Sequence, residues 1–151
     1  KIVIATGGKV SRLLTSTNKG KSWTASQTPI LQGESTTGIF SVAYHDDKTA
    51  IIAGGDYKRD SLCKDHIFYT TDNGKTWKAP EKATRGYREC VEYINDSTVL
   101  ATGPSGTDIS RDGGMTWRLL SDEKQHHVVR KSRKGSLVII AGGGGKIAVL
   151  R

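Results

Sequence analysis

The chain has 151 residues, with 23 Lys and Arg against 15 Asp and Glu, for a formal net charge of +8. That length fits one domain, and the apolar runs are only a few residues long, too short for a transmembrane helix. Gly is 18 of 151 but Pro only 3, which excludes a disordered Pro/Gly-rich tract and points to many short strands joined by turns.

Residues 1–5, Lys-Ile-Val-Ile-Ala, lack an initiator Met and any secretion-signal pattern, and they read as a strand within a fold. A turn motif follows, Ser16-Thr-Asn-Lys-Gly-Lys-Ser-Trp23. Alternating segments then predict strands over 39–45 and 49–54, a long loop, and a strand over 66–71. The motif returns as Thr70-Thr-Asp-Asn-Gly-Lys-Thr-Trp77, with an outgoing strand over 76–79. The next unit predicts strands over 87–94, 98–102 and 107–111. The third copy, Ser110-Arg-Asp-Gly-Gly-Met-Thr-Trp117, leads into a strand over 116–120. The last unit predicts strands over 126–132, 136–141 and 146–150, with the basic cluster Arg130–Lys134 at its first turn.

The shared pattern is [ST]-x-[DN]-x-G-x-[ST]-W, and it contains every Trp of the chain. Its chemistry is that of a tight hairpin. The Asx side chain bonds backbone N–H groups further on, and Gly supplies the positive φ. Trp starts the outgoing strand and buries a large apolar area. The structural set is therefore Asn18, Gly20 and Trp23; Asp72, Gly74 and Trp77; Asp112, Gly114 and Trp117. A calcium loop needs more oxygen ligands and a terminal Glu, which this motif lacks.

These repeats resemble the Asp-box, or BNR repeat, of the sialidase-like β-propellers. The resemblance implies an all-β propeller of four-stranded antiparallel blades, with each box between the third and fourth strands. Gly54-Gly-Asp-Tyr57, Gly86-Tyr-Arg88 and Gly103-Pro-Ser-Gly-Thr-Asp108 are similar to the photosystem II stability/assembly factor-like group. The blades lie approximately at 1–25, 39–79, 87–120 and 126–150. The first lacks its first strand and the last lacks its fourth, so about three and a half blades are expected. That count points to half of a roughly seven-bladed ring, closed by a missing N-terminal half or by a second copy. The family implies a bacterial, extracytoplasmic protein.

Loops at the end away from the boxes surround the propeller channel in such a fold. There the candidate ligand-binding residues are Asp56, Tyr57, Arg59, Tyr87, Arg88 and Asp108, with His126 and His127 nearby. They either bind a protein or carbohydrate ligand or pair with one another, as Asp56 with Lys58. The leading functional expectation is a non-catalytic binding or assembly scaffold. The alternative is a glycoside hydrolase of sialidase type, whose family set is an arginine cluster, an acid and a carboxylate-activated Tyr. An oxidoreductase finds no nucleotide or metal motif here.

No catalytic residue, metal or cofactor is assigned. Gly142–Gly145 precedes Lys146 but fails the phosphate-loop spacing and aligns with turns of the other units. His126 and His127 are strand neighbours whose side chains point oppositely, so they do not share a metal. The scattered basic residues define no specific nucleic-acid stripe. Cys63 and Cys90 are free thiols, or one disulfide if the protein is exported.

Overall fold

A computed structural model describes residues 1–150, in which thirteen strands form four antiparallel sheets. β1 (Ile2–Ala5), β2 (Arg12–Ser16) and β3 (Thr24–Gln27) make the first sheet. β4 (Thr37–Tyr44), β5 (Ala50–Asp56) and β6 (Ile67–Thr70) make the second. The third has four strands, β7 (Cys90–Tyr93), β8 (Val99–Gly103), β9 (Gly106–Ser110) and β10 (Arg118–Ser121). β11 (His126–Lys131), β12 (Val138–Gly142) and β13 (Ile147–Leu150) make the fourth. Each sheet is a meander in chain order, the topology that short polar turns permit. This is the all-β architecture of a partial propeller.

The expected strand over 76–79 is reduced to one bridge between Tyr69 and Lys78, with N···O distances of 3.0 and 2.8 Å. Pro80 follows directly and has no N–H to extend the ladder. In the third sheet the outer strand β10 does form, over Arg118–Ser121, with a register shift against β9 between Leu119 and Ser121. The Arg133-Lys134 turn lies between β11 and β12, while Arg130 and Lys131 belong to the strand. Cys63 and Cys90 are both free, and Cys90 is buried.

The sheets stack face to face, and alternation along the strands builds three apolar layers. In β5, Ile52 packs with Leu13, Ile39 and Phe68 between the first and second sheets. Its neighbour Ile51 points the other way, to Val91, Val99 and Trp117 between the second and third. In β8, Val99 and Ala101 join that layer, while Leu100 packs with Val129, Val138 and Ile140 toward the fourth sheet. A strand with a sheet on either side is covered on both faces, so every residue of β5, β8 and β9 is buried, the polar Asp56, Thr107, Asp108 and Ser110 included.

The end sheets have only one covered face. Val3 and Ala5 face the second sheet, whereas Ile2 and Ile4 are exposed. Ala148 and Leu150 face the third sheet, whereas Ile139, Ile147 and Val149 are exposed, Ile147 by 72%.

The three Asp-box turns share one local geometry. The Gly N–H donates to the Ser/Thr hydroxyl four residues earlier: Gly20 to Ser16 at 2.8 Å, Gly74 to Thr70 at 3.0 Å, Gly114 to Ser110 at 2.8 Å. The Asx Oδ1 accepts the N–H of the later Ser/Thr: Ser22 to Asn18 at 2.9 Å, Thr76 to Asp72 at 2.9 Å, Thr116 to Asp112 at 2.8 Å. Two successive residues take positive φ in each turn, Lys19 and Gly20, Asn73 and Gly74, Gly113 and Gly114. Two turns are tied to the strand-one-to-two turn of their own sheet, Asn73 N–H to Lys48 O and Gly113 N–H to Ser97 O, both 2.8 Å. The box end of the molecule is therefore a framework of turns held by backbone.

Candidate functional site opposite the Asp boxes

At the other end the loops interlock through their backbones, within the second sheet and between successive sheets. Tyr57 N–H donates to Thr36 O at 3.2 Å, Tyr87 N–H to Asp60 O at 2.8 Å, and Gln125 N–H to Pro104 O at 2.9 Å. Arg88 N–H reaches Gly54 O at 3.3 Å. These bonds draw the long loop 57–66, the connection 80–89 and the turns at 104–105 and 122–125 onto one surface. The loop residue Gly86 has a φ of 101°, and a Cβ there would lie 2.0 Å from Asp60 O, so only glycine permits this approach.

Four of the six candidate residues lie beneath that surface. Arg88 and Asp108 form an ion pair in which both side chains are fully buried. Arg88 Nε donates to Asp108 Oδ2 at 2.7 Å, and its Nη1 donates to Tyr87 O at 2.7 Å and Ser105 Oγ at 3.1 Å. The pair joins β9 to the segment entering β7, which fixes the loop ends between them. Removing one partner of such a pair costs about 3–5 kcal/mol, since it strands a buried charge. Asp108 Oδ1 is buried without a partner among the described residues.

Asp56 is also buried. Its charge partner is Arg59, not Lys58: Arg59 Nε donates to Oδ2 at 2.7 Å, while Lys58 offers only its backbone N–H to Oδ1 at 3.0 Å. The Arg59 hydrogen bond outweighs desolvation and holds the Asp56 carboxyl below its ordinary range. The i, i+3 spacing is that of a single turn, which brings the two side chains together.

Tyr87 is buried to its hydroxyl, which donates to Glu89 Oε1 at 3.2 Å. Burial and the neighbouring Glu89 carboxylate push this phenol far above its usual value, so it stays neutral. His66 lies beneath the same loops, with Nε2 3.0 Å from Thr84 Oγ1, and burial lowers its pKa and favours the neutral ring.

The exposed members of the set are Tyr57, 47% accessible, and Arg59. Three residues outside the set share their surroundings. Phe40, 43% exposed, stands edge-on to Tyr57 at 6.2 Å and to Tyr87 at 5.0 Å between centroids. Glu89 Oε2 lies 2.5 Å from His127 Nδ1. Phe40 was hidden in the sequence because it alternates as an ordinary strand residue.

The BNR/Asp-box repeat family model matches residues 68–79 and 108–119, the second and third boxes with their flanking strands. The chain carries BNR/Asp-box repeats. The Asp-box fold also matches the solved structure titled "YCF48 bound to D1 peptide", with a TM-score of 0.63 at 15% identity. The match covers 96% of this chain and 46% of that one, so the chain spans about half the length of that protein. At this identity the likeness is one of fold, a β-propeller. No curated protein matches the chain. No helix is long and apolar enough to cross a membrane among the described residues.

Proposed function

We propose that this Asp-box chain is a non-catalytic binding or assembly module that holds a protein segment at the loop end opposite the boxes. The observation that carries the reading is the division of that end into a buried ionic frame and an exposed aromatic surface. Arg88 and Asp108 neutralise each other's charge and position the loops, while Tyr57, Arg59 and Phe40 face outward. Exposed aromatics and Arg are the side chains that anchor protein contacts. The solved structure with the matching fold is bound to a peptide, which is in keeping with this reading.

A hydrolase of sialidase type is the less economical account. It needs an accessible arginine cluster and an activated Tyr. Here Arg88 is buried against Asp108, and Tyr87 is buried with a raised pKa. The exposed faces of the two end sheets support a second contact: in a closed ring each is covered by an adjoining blade, from more of the same polypeptide or from a second copy.

The test uses an array of unstructured peptides probed with the chain and with a Tyr57→Ala/Arg59→Ala variant. A subset should bind, with about tenfold loss in the variant. A panel of sialosides and glycosides with fluorescent leaving groups should give no release. Turnover of any of them, or peptide binding indifferent to the two substitutions, overturns the proposal.

A further inference from the structure

The first strands of the second, third and fourth sheets share an irregularity at one level. In β4 the register with β5 shifts between Ile39 and Ser41, leaving Phe40 as the extra residue. In β11 it shifts between His126 and Val128, leaving His127. At the head of β7, Glu89 N–H donates to Thr102 O at 2.8 Å while Cys90 already pairs with Thr102, so Glu89 stands in the same position. A bulge re-aims the side chain it carries, here Phe40 and His127, and Glu89 lies at the corresponding level between them, just before β7. Opposite Phe40 and His127 the facing strand gives way at a glycine, Gly54 and Gly142, whereas Glu89 faces Thr102. A Cβ at Gly54 would lie 1.9 Å from Gly38 O, and one at Gly142 would lie 1.7 Å from Gln125 O.

The three strands are neighbours. Val91 N–H donates to Ser41 Oγ at 3.0 Å, and Cys90 Sγ lies 3.4 Å from Val129 O. The bulge residues therefore form a connected row. Phe40 meets Tyr87, whose hydroxyl meets one oxygen of Glu89, whose other oxygen meets His127.

Glu89 is the anion of this row. A carboxylate offers roughly four acceptor positions, and Tyr87 and His127 occupy two, one on each oxygen. Among the described residues no Lys or Arg pairs with Glu89, whose ion-pair partner is His127, while Arg88 pairs with Asp108 and Arg59 with Asp56. The local surface is thus an open carboxylate beside exposed aromatic rings, despite the net charge of +8. A planar cation that forks onto a carboxylate and lies on an aromatic face fits that pairing.

We infer that the bulge row Phe40–Glu89–His127 is a binding site for the guanidinium of an arginine side chain, Glu89 taking its N–H groups and the Phe40/Tyr57 rings its face. This rests on the reading of the loop end as a protein-binding surface and names the side chain it selects.

The test is an NMR titration of the isotope-labelled 151-residue chain with N-acetyl-arginine methylamide and with the citrulline counterpart, which has the same shape and no charge. The arginine probe should shift resonances of Phe40, Tyr57, Glu89 and His127, and the citrulline probe should bind about fivefold more weakly. Glu89→Gln keeps an acceptor for Tyr87 and should lose the arginine preference, while Phe40→Leu should weaken the arginine probe about twofold. Equal response to the two probes, or an arginine preference that survives Glu89→Gln, overturns the inference. Peptides that bind the loop end without regard to arginine would sink this inference and leave the scaffold reading standing. An arginine response with no peptide bound anywhere on the array would do the reverse.

Discussion

The first and third Asp boxes have the same turn and opposite surroundings. Trp23 Nε1 donates to Gly20 O at 3.1 Å, and Trp117 Nε1 to Gly114 O at 3.0 Å. Yet Trp23 is 41% exposed and Trp117 only 1%. The third box lies against the second sheet, where Ile51 and Ile67 cover the Trp117 ring and Lys82 O accepts its backbone N–H at 2.8 Å. Among the described residues no sheet precedes the first box. The hydrogen-bonded turn is thus a local product of eight residues, whereas the burial of its Trp is supplied by a neighbour. The second box shows the same division: its turn bonds match, but Trp77 Nε1 is buried without a partner.

Truncating the two tryptophans exposes this difference with the largest effect. Trp117→Ala should cost about 3–5 kcal/mol, by lost transfer and a cavity between the second and third sheets. Trp23→Ala should cost about 1 kcal/mol, as it removes a half-covered ring. Urea unfolding of the two variants measures both. Equal losses would show that the outer face of the first sheet is covered in solution, by a further blade or another copy.

This division also explains what could be read in advance. The boxes and most of the strands beside them were legible because turn chemistry and period-two alternation are local; the strand over 76–79, cut short at Pro80, was not. Sheet order followed from the short turns. The ionic frame was half legible: Arg88 and Asp108 stood out by type, but they are 20 residues apart and only the loop interlock makes them a pair. Phe40, Glu89 and His127 were not visible as a row. A bulge inserts one residue into a strand with no compositional mark of its own, and the glycines that admit it look like turn glycines.

Acid separates the boxes next. Thr76 side-chain and backbone hydrogen bonds hold the Asp72 carboxyl down at about 2. In the third box, burial pushes Asp112 up, but its Thr116 bonds outweigh that and leave it lowered. Both carboxyls titrate below the ordinary value of about 4, so the stabilisation is complete above that pH and is lost as pH falls below it, for Asp72 toward about 2. Asn18 in the first box does not titrate, and its Nδ2 donates to Ser22 Oγ at 2.8 Å in place of the reverse bond. Asp72→Asn should adopt that arrangement and flatten the fall of the unfolding midpoint between about pH 4 and pH 2. An acid limb unchanged by Asp72→Asn and by Asp112→Asn would place its origin outside the boxes.

The smallest effect lies in the turn backbone itself. The residue before the box Gly takes positive φ in all three copies, at 60° for Lys19, 64° for Asn73 and 73° for Gly113. Left-handed backbone costs an L side chain about 1–2 kcal/mol, less for Asn, whose short amide bonds locally, and nothing for Gly. The three boxes thus run from strained to relaxed with one geometry. Lys19→Asn should stabilise the chain by about 0.5 kcal/mol, and Gly113→Lys should destabilise it by about 1 kcal/mol. Lys19→Asn is the cleaner experiment, because Gly in its place would add unfolded-state entropy that offsets the relief. Among the described residues no other sheet covers the box that carries Lys19, so in this chain the substitution reads the turn alone. If thermal melts show no gain, the first turn relaxes away from the left-handed pair, and its likeness to the other two depends on packing after all.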